Sequence, residues 1–347
     1  MNAYLMLGPD GIAPATARFS SNELTTAPCD GTPDTFLIPG FVDQHIHGAF
    51  KVDFMSATAP EMKDLCAGLR EKGYEYFLPS TVTASPEAVL RSADLVVDPM
   101  TPGFHLEGPF ISKVYPGAQP PEFIVESPAP GTIWDRVLDH PKLRLITLAP
   151  EIPGALPLIS RLTARGVLVN YGHTNATYAE LQAGVAAGLN GATHTYNAMR
   201  PLHHREAGAV GFALSTDEVD CELIYDRVHV SREAARLLIK IKPKDHIVAI
   251  SDATMAAGLP EGTELSMWRH QVVVGPGDVR LADSGALAGS TITLADAFKN
   301  LSEDFGVEIA IRACCLNARR RLGLTARPKL WLEVGPDFRL VRQFSLQ

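Results

Sequence analysis

The segment that decides the fold is PGFVDQHIHG, residues 39–48, an apolar run that ends in two histidines and a glycine. Residues i and i+2 of a β-strand point to the same face, so His45 and His47 lie side by side at the end of this strand. From here to about residue 320, short apolar runs alternate with helical patterns. This alternation is typical of βα units around a parallel sheet.

Eight apolar runs are candidates for parallel strands, and helices marked by capping signals at Ser85 and Thr177 lie between them. The candidate strands are Ile38–His47, Tyr76–Val82, Gly103–Glu107, Leu143–Leu148, Val167–His173, Ala192–Thr195, Cys221–Val230 and His246–Asp252. Eight βα units predict an α/β protein with a (β/α)8 barrel of the TIM type.

The chain has 347 residues, about 100 more than a TIM-type barrel requires. Its two ends stand outside the alternation: the first 40 residues hold short apolar pieces broken by Gly, Pro, Asn and Asp, and Lys329–Val334 alternates like a strand before a Gly-Pro-Asp turn. We therefore expect residues 1–40 and 323–347 to form one small, sandwich-like β domain and residues 41–322 to form the catalytic barrel.

The composition excludes several classes of protein. With 31 basic and 39 acidic residues the net charge is −8, whereas nucleic-acid binding requires a concentrated basic surface. No apolar segment approaches the roughly 20 residues of a membrane span, and the N-terminus lacks the pattern of a signal peptide. The five cysteines include no C-x-x-C pair, which indicates neither a disulfide framework nor a thiolate metal site. We expect a cytoplasmic protein that binds neither nucleic acid nor membranes.

Metal-ligand side chains end several of the predicted strands. Glu107 ends the third, His173 the fifth and His194 the sixth. Because the carboxyl ends of barrel strands meet at one mouth, these side chains can meet His45 and His47 there. Imidazole and carboxylate suit Zn²⁺ or Fe²⁺, and a carboxylate between two ions can bridge them. The alternative for the histidine pair is a hydrogen-bonded place in the core.

Asp252 follows the eighth apolar strand and would lie at the same mouth. A carboxylate there can accept a proton from water and deliver it to a leaving amine, although Ser251 and Asp252 also suit a helix cap. Arg205 and His229 are available to hold an anionic substrate. His105 shares a strand face with Glu107, and we interpret it as a packed histidine.

The ordered motifs PGFVDQHIHG, HLEGPF, NYGHT, THTYNAM, ISDAT and GALAGS resemble the N-acetylglucosamine-6-phosphate deacetylases of the amidohydrolase superfamily over about residues 37–320. The resemblance implies a metal-dependent barrel that removes acetate from an amino-sugar 6-phosphate, in amino-sugar catabolism or cell-wall recycling. It also implies a homodimer with one or two divalent ions per subunit, zinc or iron being the expected metals.

The resemblance also implies roles for individual side chains. Glu107, His173 and His194 match the principal metal ligands, His45 and His47 match ligands of a second metal, and Asp252 matches the general acid/base. His229 matches a histidine that contacts the sugar and the reacting carbonyl, Asn197, Ala198 and Arg205 match phosphate-side contacts, and Leu287 falls in a segment that lines the substrate.

One loop departs from the family pattern. After HLEGPF the family usually carries a Gly-Ala-His-x-Pro loop whose histidine helps to bind the phosphate, often from a neighbouring subunit, but here Gln119 replaces that histidine. Glutamine donates a hydrogen bond but carries no charge, so phosphate binding is weaker or the substrate differs. Two alternatives therefore stay open: an enzyme for another N-acetylated hexosamine phosphate, such as the galactosamine epimer, and a catalytically silent sugar-phosphate sensor.

Overall fold

A computed structural model of the chain describes residues 2–347. The strands are β1 (Asn2–Gly8), β2 (Gly11–Phe19), β3 (Leu24–Pro28), β4 (Phe36–Pro39), β5 (Phe41–Ile46), β6 (Gly48–Ala49), β7 (Val52–Asp53), β8 (Tyr74–Pro79), β9 (Phe104–Glu107), β10 (Leu143–Leu148), β11 (Leu168–Tyr171), β12 (Gly191–Ala192), β13 (Asp220–Ile224), β14 (Ile247–Ile250), β15 (Glu264–Met267), β16 (His270–Val274), β17 (Asp278–Leu281), β18 (Leu287–Ser290), β19 (Leu330–Val334) and β20 (Leu340–Ser345).

The α-helices are α1 (Ala59–Glu71), α2 (Pro86–Asp94), α3 (Trp134–Leu138), α4 (Ala155–Ala164), α5 (Tyr178–Ala187), α6 (Gly208–Ser215), α7 (Arg232–Ile241), α8 (Leu294–Phe305), α9 (Val307–Ile311) and α10 (Asn317–Arg321). The predicted capping residues start their helices: the Ser85 hydroxyl accepts from the backbone of Ala88, and Thr177 forms a capping box with Glu180. Within residues 2–347, no helix is both long and apolar enough to cross a membrane.

Parallel strands form the centre of the molecule, and each of the eight predicted strand segments overlaps one of them. One curled sheet has the order β14-β13-β12-β11-β10-β9, and β5 pairs with β8. At one seam the backbone of Thr81 donates to the carbonyl of His105 at 2.9 Å. At the other, the backbone of Asp252 donates to the carbonyl of His45 at 2.9 Å and that of His47 to the carbonyl of Ala253 at 2.8 Å. The predicted α/β class and parallel arrangement are confirmed, whereas the regular ladders do not run without interruption around a closed barrel.

The two chain ends meet in a separate sheet with the order β20-β19-β4-β1-β2-β3. These strands form one six-stranded sheet, where the sequence predicted a sandwich-like unit. Strand β4 runs directly into β5 through Gly40, where an added Cβ would lie 2.9 Å from that of Glu75 and 3.0 Å from that of Leu330. The glycine of the PGFVDQHIHG segment thus lets the terminal sheet lie tightly against the central strands.

A second separate sheet, β15-β16-β17-β18, was not anticipated from the sequence. It is inserted between β14 and α8, within the residues 41–322 that we assigned to the catalytic barrel. Its first hairpin turns at Trp268 and Arg269, whose φ angles of 51° and 70° are unusual for residues other than glycine or asparagine. This turn carries the indole of Trp268 over the carboxyl ends of the central strands.

Candidate active site

A cavity of about 350 Å³ opens at the carboxyl ends of the central strands. Its lining comprises His47, Glu107, Val114, Tyr115, Pro116, Gly117, Ala118, Gln119, His173, His194, Asn197, Ala198, Ile224, His229, Asp252, Trp268, Leu287 and Gly289. Strand ends, βα loops and the unanticipated sheet all contribute, so residues far apart in sequence share one surface.

The five predicted metal ligands and the predicted acid/base lie at or just after the ends of five strands. They are His45 in β5, His47 after it, Glu107 at the end of β9, His173 after β11, His194 after β12 and Asp252 after β14, and all six are buried. His173, His194 and Asp252 have φ angles of 45°, 31° and 47°. Such angles are strained for these residue types and persist only where the surroundings enforce them, as they do at functional sites.

Glu107, His173 and His194 form one group of potential metal ligands. The Nε2 atoms of the two histidines are 3.1 Å apart, and each lies 3.1 Å from Oε1 of Glu107. These separations are close to the edges of a small tetrahedral coordination shell, about 3.3 Å for bonds of 2.0–2.1 Å. The three donors can thus bind one ion and leave a position open.

His45, His47 and Asp252 form the second group. The two Nε2 atoms are 3.2 Å apart, and Oδ1 of Asp252 lies 3.4 Å from His45 Nε2 and 3.2 Å from His47 Nε2. The carboxylate of Glu107 reaches this group too, with Oε1 at 3.5 Å from His45 and Oε2 at 3.2 Å from His47. Glu107 therefore lies between the two groups, where a carboxylate can bridge two ions.

The hydrogen bonds of the ring Nδ1 atoms show that the donor set fits a metal. Nδ1 of His173 lies 3.0 Å from the carbonyl of Tyr115, and Nδ1 of His47 lies 3.1 Å from the carbonyl of Ser80. A carbonyl oxygen only accepts, so Nδ1 carries a proton and Nε2 is the nitrogen that can bind a metal. Lone pairs about 3 Å apart repel unless a cation lies between them, and nitrogen with carboxylate oxygen suits zinc and iron.

Burial and mutual attraction shift the pKa values of this cluster. Burial would lower the pKa of His47, but hydrogen bonds to Asp252 and Glu107 raise it to about 9. Burial opposes ionisation of Glu107, yet His45 and the other histidines hold its pKa well below the usual range. The cluster thus favours bound positive charge, in the form of either protons or a metal ion.

His229 follows β13, lines the cavity and is oriented by Asp226. Its Nδ1 is 2.5 Å from Oδ2 of Asp226, whose other oxygen accepts from the backbone of Val228 and of His229 itself. Its Nε2 is buried and has no hydrogen-bond partner within residues 2–347. Because Asp226 fixes the proton on Nδ1 and raises the pKa of His229 against the effect of burial, Nε2 is available to a substrate.

The predicted substrate residues divide into two groups. Asn197, Ala198 and Leu287 line the cavity, whereas Arg205 is exposed outside it and lies against His204. Gln119 lies in the cavity wall, but its amide nitrogen donates to Oε2 of Glu107 and its oxygen accepts from the backbone of Thr83, each at 2.7 Å. Both ends of its amide are thus hydrogen-bonded within the protein.

Three residues of the site were missed from the sequence. Asp226 had a usable signal, since it lies three residues before His229 at the end of the same predicted strand. Tyr115 acts through its backbone carbonyl, and Trp268 packs edge-on against His47 with ring centroids 5.0 Å apart, so neither has a sequence signature. His105 hydrogen-bonds Ser80 and Thr147 in the interior.

Known proteins resemble the chain over most of its length. The N-acetylglucosamine-6-phosphate deacetylase of Lysinibacillus sphaericus is 34% identical over 85% of this chain and 78% of its own. The N-acetylgalactosamine-6-phosphate deacetylase of Escherichia coli O157:H7 is 35% identical over 83% and 78%. A solved mutant of the Mycobacterium smegmatis N-acetyl-D-glucosamine-6-phosphate deacetylase, in complex with N-acetyl-D-glucosamine-6-phosphate, superposes with a TM-score of 0.90 at 30% identity over 99% and 98%. No family model matches.

A parallel α/β fold that gathers imidazoles and carboxylates at its strand ends is the arrangement of an amidohydrolase, and solved deacetylases of that class superpose on almost the whole chain. Within that class, the identity and coverage are sufficient to assign a family. The chain belongs to the N-acetylglucosamine-6-phosphate deacetylase family.

The raised pKa of His47 predicts a pH-dependent stability of the metal-free protein. Its protonated form is stabilised in the folded state, and this contribution is fully present below pH 6.5 and is lost as the pH rises through about 9. We expect the melting temperature of chelator-treated protein to fall between pH 7 and 9.5, while metal-loaded protein changes much less, because the metal takes the place of the protons. Thermal melts of both forms across this range test the prediction, and a flat or rising curve for the metal-free form would contradict it.

Proposed function

We propose that the chain hydrolyses the acetamide of N-acetylglucosamine 6-phosphate to glucosamine 6-phosphate and acetate, in amino-sugar catabolism or cell-wall recycling. The observation that carries this proposal is the position of Glu107 between two groups of ligands, with Asp252 beside them in one buried cavity. Both the enzyme class and the names of its relatives agree with it.

Divalent ions, zinc or iron, would be held by Glu107, His173 and His194 at one position and by His45 and His47 at a second, with Glu107 reaching both. Asp252 borders the second position. Metals in such sites lower the pKa of water and polarise a carbonyl group. Because each of the two groups brings three potential ligands together, we propose two ions per subunit.

Asp252 is the proposed general acid and base. Its carboxylate accepts the proton of the attacking water, and its pKa, lowered by His45 and His47 against the effect of burial, keeps it ionised for that step. The same group then passes the proton to the departing nitrogen, which is a poor leaving group as an amide anion. His229 donates from Nε2 to the carbonyl oxygen and stabilises the charge that develops there.

The phosphate requires a cation that the cavity does not contain. Among residues 2–347, no lysine or arginine belongs to the cavity lining. Asn197 and Ala198 offer hydrogen-bonding and close contact, but a dianionic phosphate is bound best by guanidinium groups. We propose that the chain is a homodimer in which exposed Arg205 of one subunit reaches the phosphate in the cavity of the other.

The remaining proposals concern architecture and compartment. The eight central strands act as one closed barrel within residues 41–322, joined at the seams by the bonds of Thr81 and Asp252. Residues 1–40 and 323–347 make up the small β domain. Free thiols at all five cysteines support a cytoplasmic location.

The first prediction concerns Asp252. We expect Asp252→Asn to lower kcat by roughly 10²–10⁴-fold, because the amide cannot carry the proton between water and nitrogen. Acetate release is measured together with metal content in the same sample, so that loss of an ion is distinguished from loss of the acid. Glu75→Gln, which changes a buried carboxylate at the other end of the strands, serves as the control, and full activity of Asp252→Asn would refute the role.

A second prediction tests whether Arg205 acts across subunits. Arg205→Ala should lower kcat/KM for the phosphorylated sugar roughly 10- to 100-fold and leave the unphosphorylated sugar unchanged. Mixed dimers of Arg205→Ala and Asp252→Asn subunits then contain one site with an intact Asp252 and an intact Arg205 from the partner. We expect such mixtures to regain activity at low substrate concentration, whereas no recovery would place Arg205 in its own subunit's site or outside both.

The galactosamine epimer is the second candidate substrate, because an N-acetylgalactosamine-6-phosphate deacetylase is as similar to the chain as the glucosamine enzymes are. We expect kcat/KM for N-acetylglucosamine 6-phosphate to exceed that for its epimer at least about tenfold. Rates on both epimers with the same metal-loaded preparation decide the question. A preference for the galactosamine epimer would keep the reaction and change the substrate.

A further inference from the structure

A fully buried carboxylate, Glu222, lies beneath the ligand cluster in the interior of the central sheet. It belongs to β13 and is not part of the cavity lining. Neither the catalytic steps nor the substrate contacts proposed above use it. A buried carboxylate is costly unless its oxygens are satisfied, so its partners indicate what it does.

The two oxygens of Glu222 have different partners. Oε1 accepts from the side-chain amides of Gln44 at 2.6 Å and Asn170 at 2.9 Å. Oε2 lies 3.3 Å from Nδ1 of His45 and 3.3 Å from the backbone nitrogen of His194. One oxygen is therefore held by the barrel interior, and the other is directed at the two ligand groups.

The carboxylate is held in place from below. Asn170, which donates to Glu222, accepts from Arg321 at 2.9 Å through its own oxygen. Arg321 in turn pairs with Asp220 at 2.9 Å, at the amino end of the same strand β13. Within residues 2–347, no lysine or arginine forms a salt bridge with Glu222 itself. Its negative charge is thus directed to His45.

His45 differs from the other histidine ligands in this contact. Nδ1 of His47 and of His173 faces a neutral backbone carbonyl, whereas Nδ1 of His45 faces a carboxylate. A carboxylate acceptor fixes the ring and its tautomer, and it makes the opposite nitrogen a stronger donor to a metal. That opposite nitrogen, Nε2 of His45, is the atom 3.2 Å from His47 and 3.4 Å from Asp252.

We propose that Glu222 is a positioning residue that orients His45 and strengthens its Nε2 as a ligand, so that the group formed by His45, His47 and Asp252 holds a second ion. The inference rests on the proposed function, because it requires ions at both groups. It adds a carboxylate from the seventh parallel strand, β13, to a centre whose other members lie at the mouth.

The test compares Glu222→Gln with wild-type protein and with a matched control. Glu75→Gln removes another buried carboxylate of the central strands, one that pairs with Arg319 at 2.6 Å and touches none of the six ligands. Metal-free preparations are titrated with Zn²⁺ alone in a competing chelator, and bound zinc per subunit is counted after gel filtration. Glu222→Asp, with a shorter side chain, is measured as the conservative variant.

We expect the wild-type protein and Glu75→Gln to bind two zinc ions. Glu222→Gln should keep one and bind the other about 10- to 100-fold more weakly, with Glu222→Asp in between. A merely structural role would lower the melting temperature of the metal-free protein and leave its increase on adding zinc unchanged. If Glu222 positions His45, Glu222→Gln should instead lose much of the increase in melting temperature on adding zinc, whatever the melting temperature of the metal-free protein.

The outcomes separate this inference from the proposed function. Equal zinc affinity of Glu222→Gln and wild-type protein at both positions would overturn the role of Glu222 and leave the deacetylase proposal intact. A wild-type protein that is fully active with a single ion would overturn both the two-ion centre and this inference. A two-ion wild-type protein without deacetylase activity would contradict the proposed function alone.

Discussion

The structure depends on one contact, the carboxylate of Glu107 between the two pairs of imidazoles. It lies 3.1 Å from His173 and His194 and 3.2 Å from His47, with only 1% of its surface exposed. Uncompensated charges of this kind cost several kcal/mol each when buried. Attraction between these charges and a bound cation offsets that cost. The cluster is therefore suited to bind a cation.

The opposite end of the strands shows how the same fold treats carboxylates that have a structural role. There Glu75 pairs with Arg319 at 2.6 Å and Asp220 pairs with Arg321 at 2.9 Å, both arginines coming from α10. At the mouth, by contrast, the partners of Glu107 within residues 2–347 are histidines and the amide of Gln119. A histidine can exchange its proton for a metal at neutral pH, whereas an arginine cannot. The carboxylates at the amino ends of the strands are therefore neutralised by arginines of the protein, whereas the carboxylate at the mouth can be neutralised by a bound metal ion.

Sequence patterns predicted those features of the site that depend on a single strand. The spacing of His45 and His47, and the strand ends at Glu107 and Asp252, follow from the two-residue period of a strand and from the shared edge of parallel strands. Contacts between distant segments could not be predicted in this way. Gln119 matches a loop motif, yet its contact with Glu107 depends on how that loop folds back onto β9. Likewise Trp268 reaches His47 only through a sheet whose alternating pattern is short and flanked by turns.

The residues proposed to act on the acetamide and those proposed to bind the phosphate come from different parts of the fold. A net charge of −8 repels an anionic sugar phosphate, and the cavity lining supplies no lysine or arginine to counter it. In the proposed function, bound ions and His229 therefore act on the acetamide, and Arg205, outside the lining, acts on the phosphate. In the proposed function, the catalytic centre depends on strand ends within one subunit, whereas recognition of the phosphate depends on the exposed loop that carries Arg205. Exposed loops of this kind can change without disturbing the ligands at the strand ends.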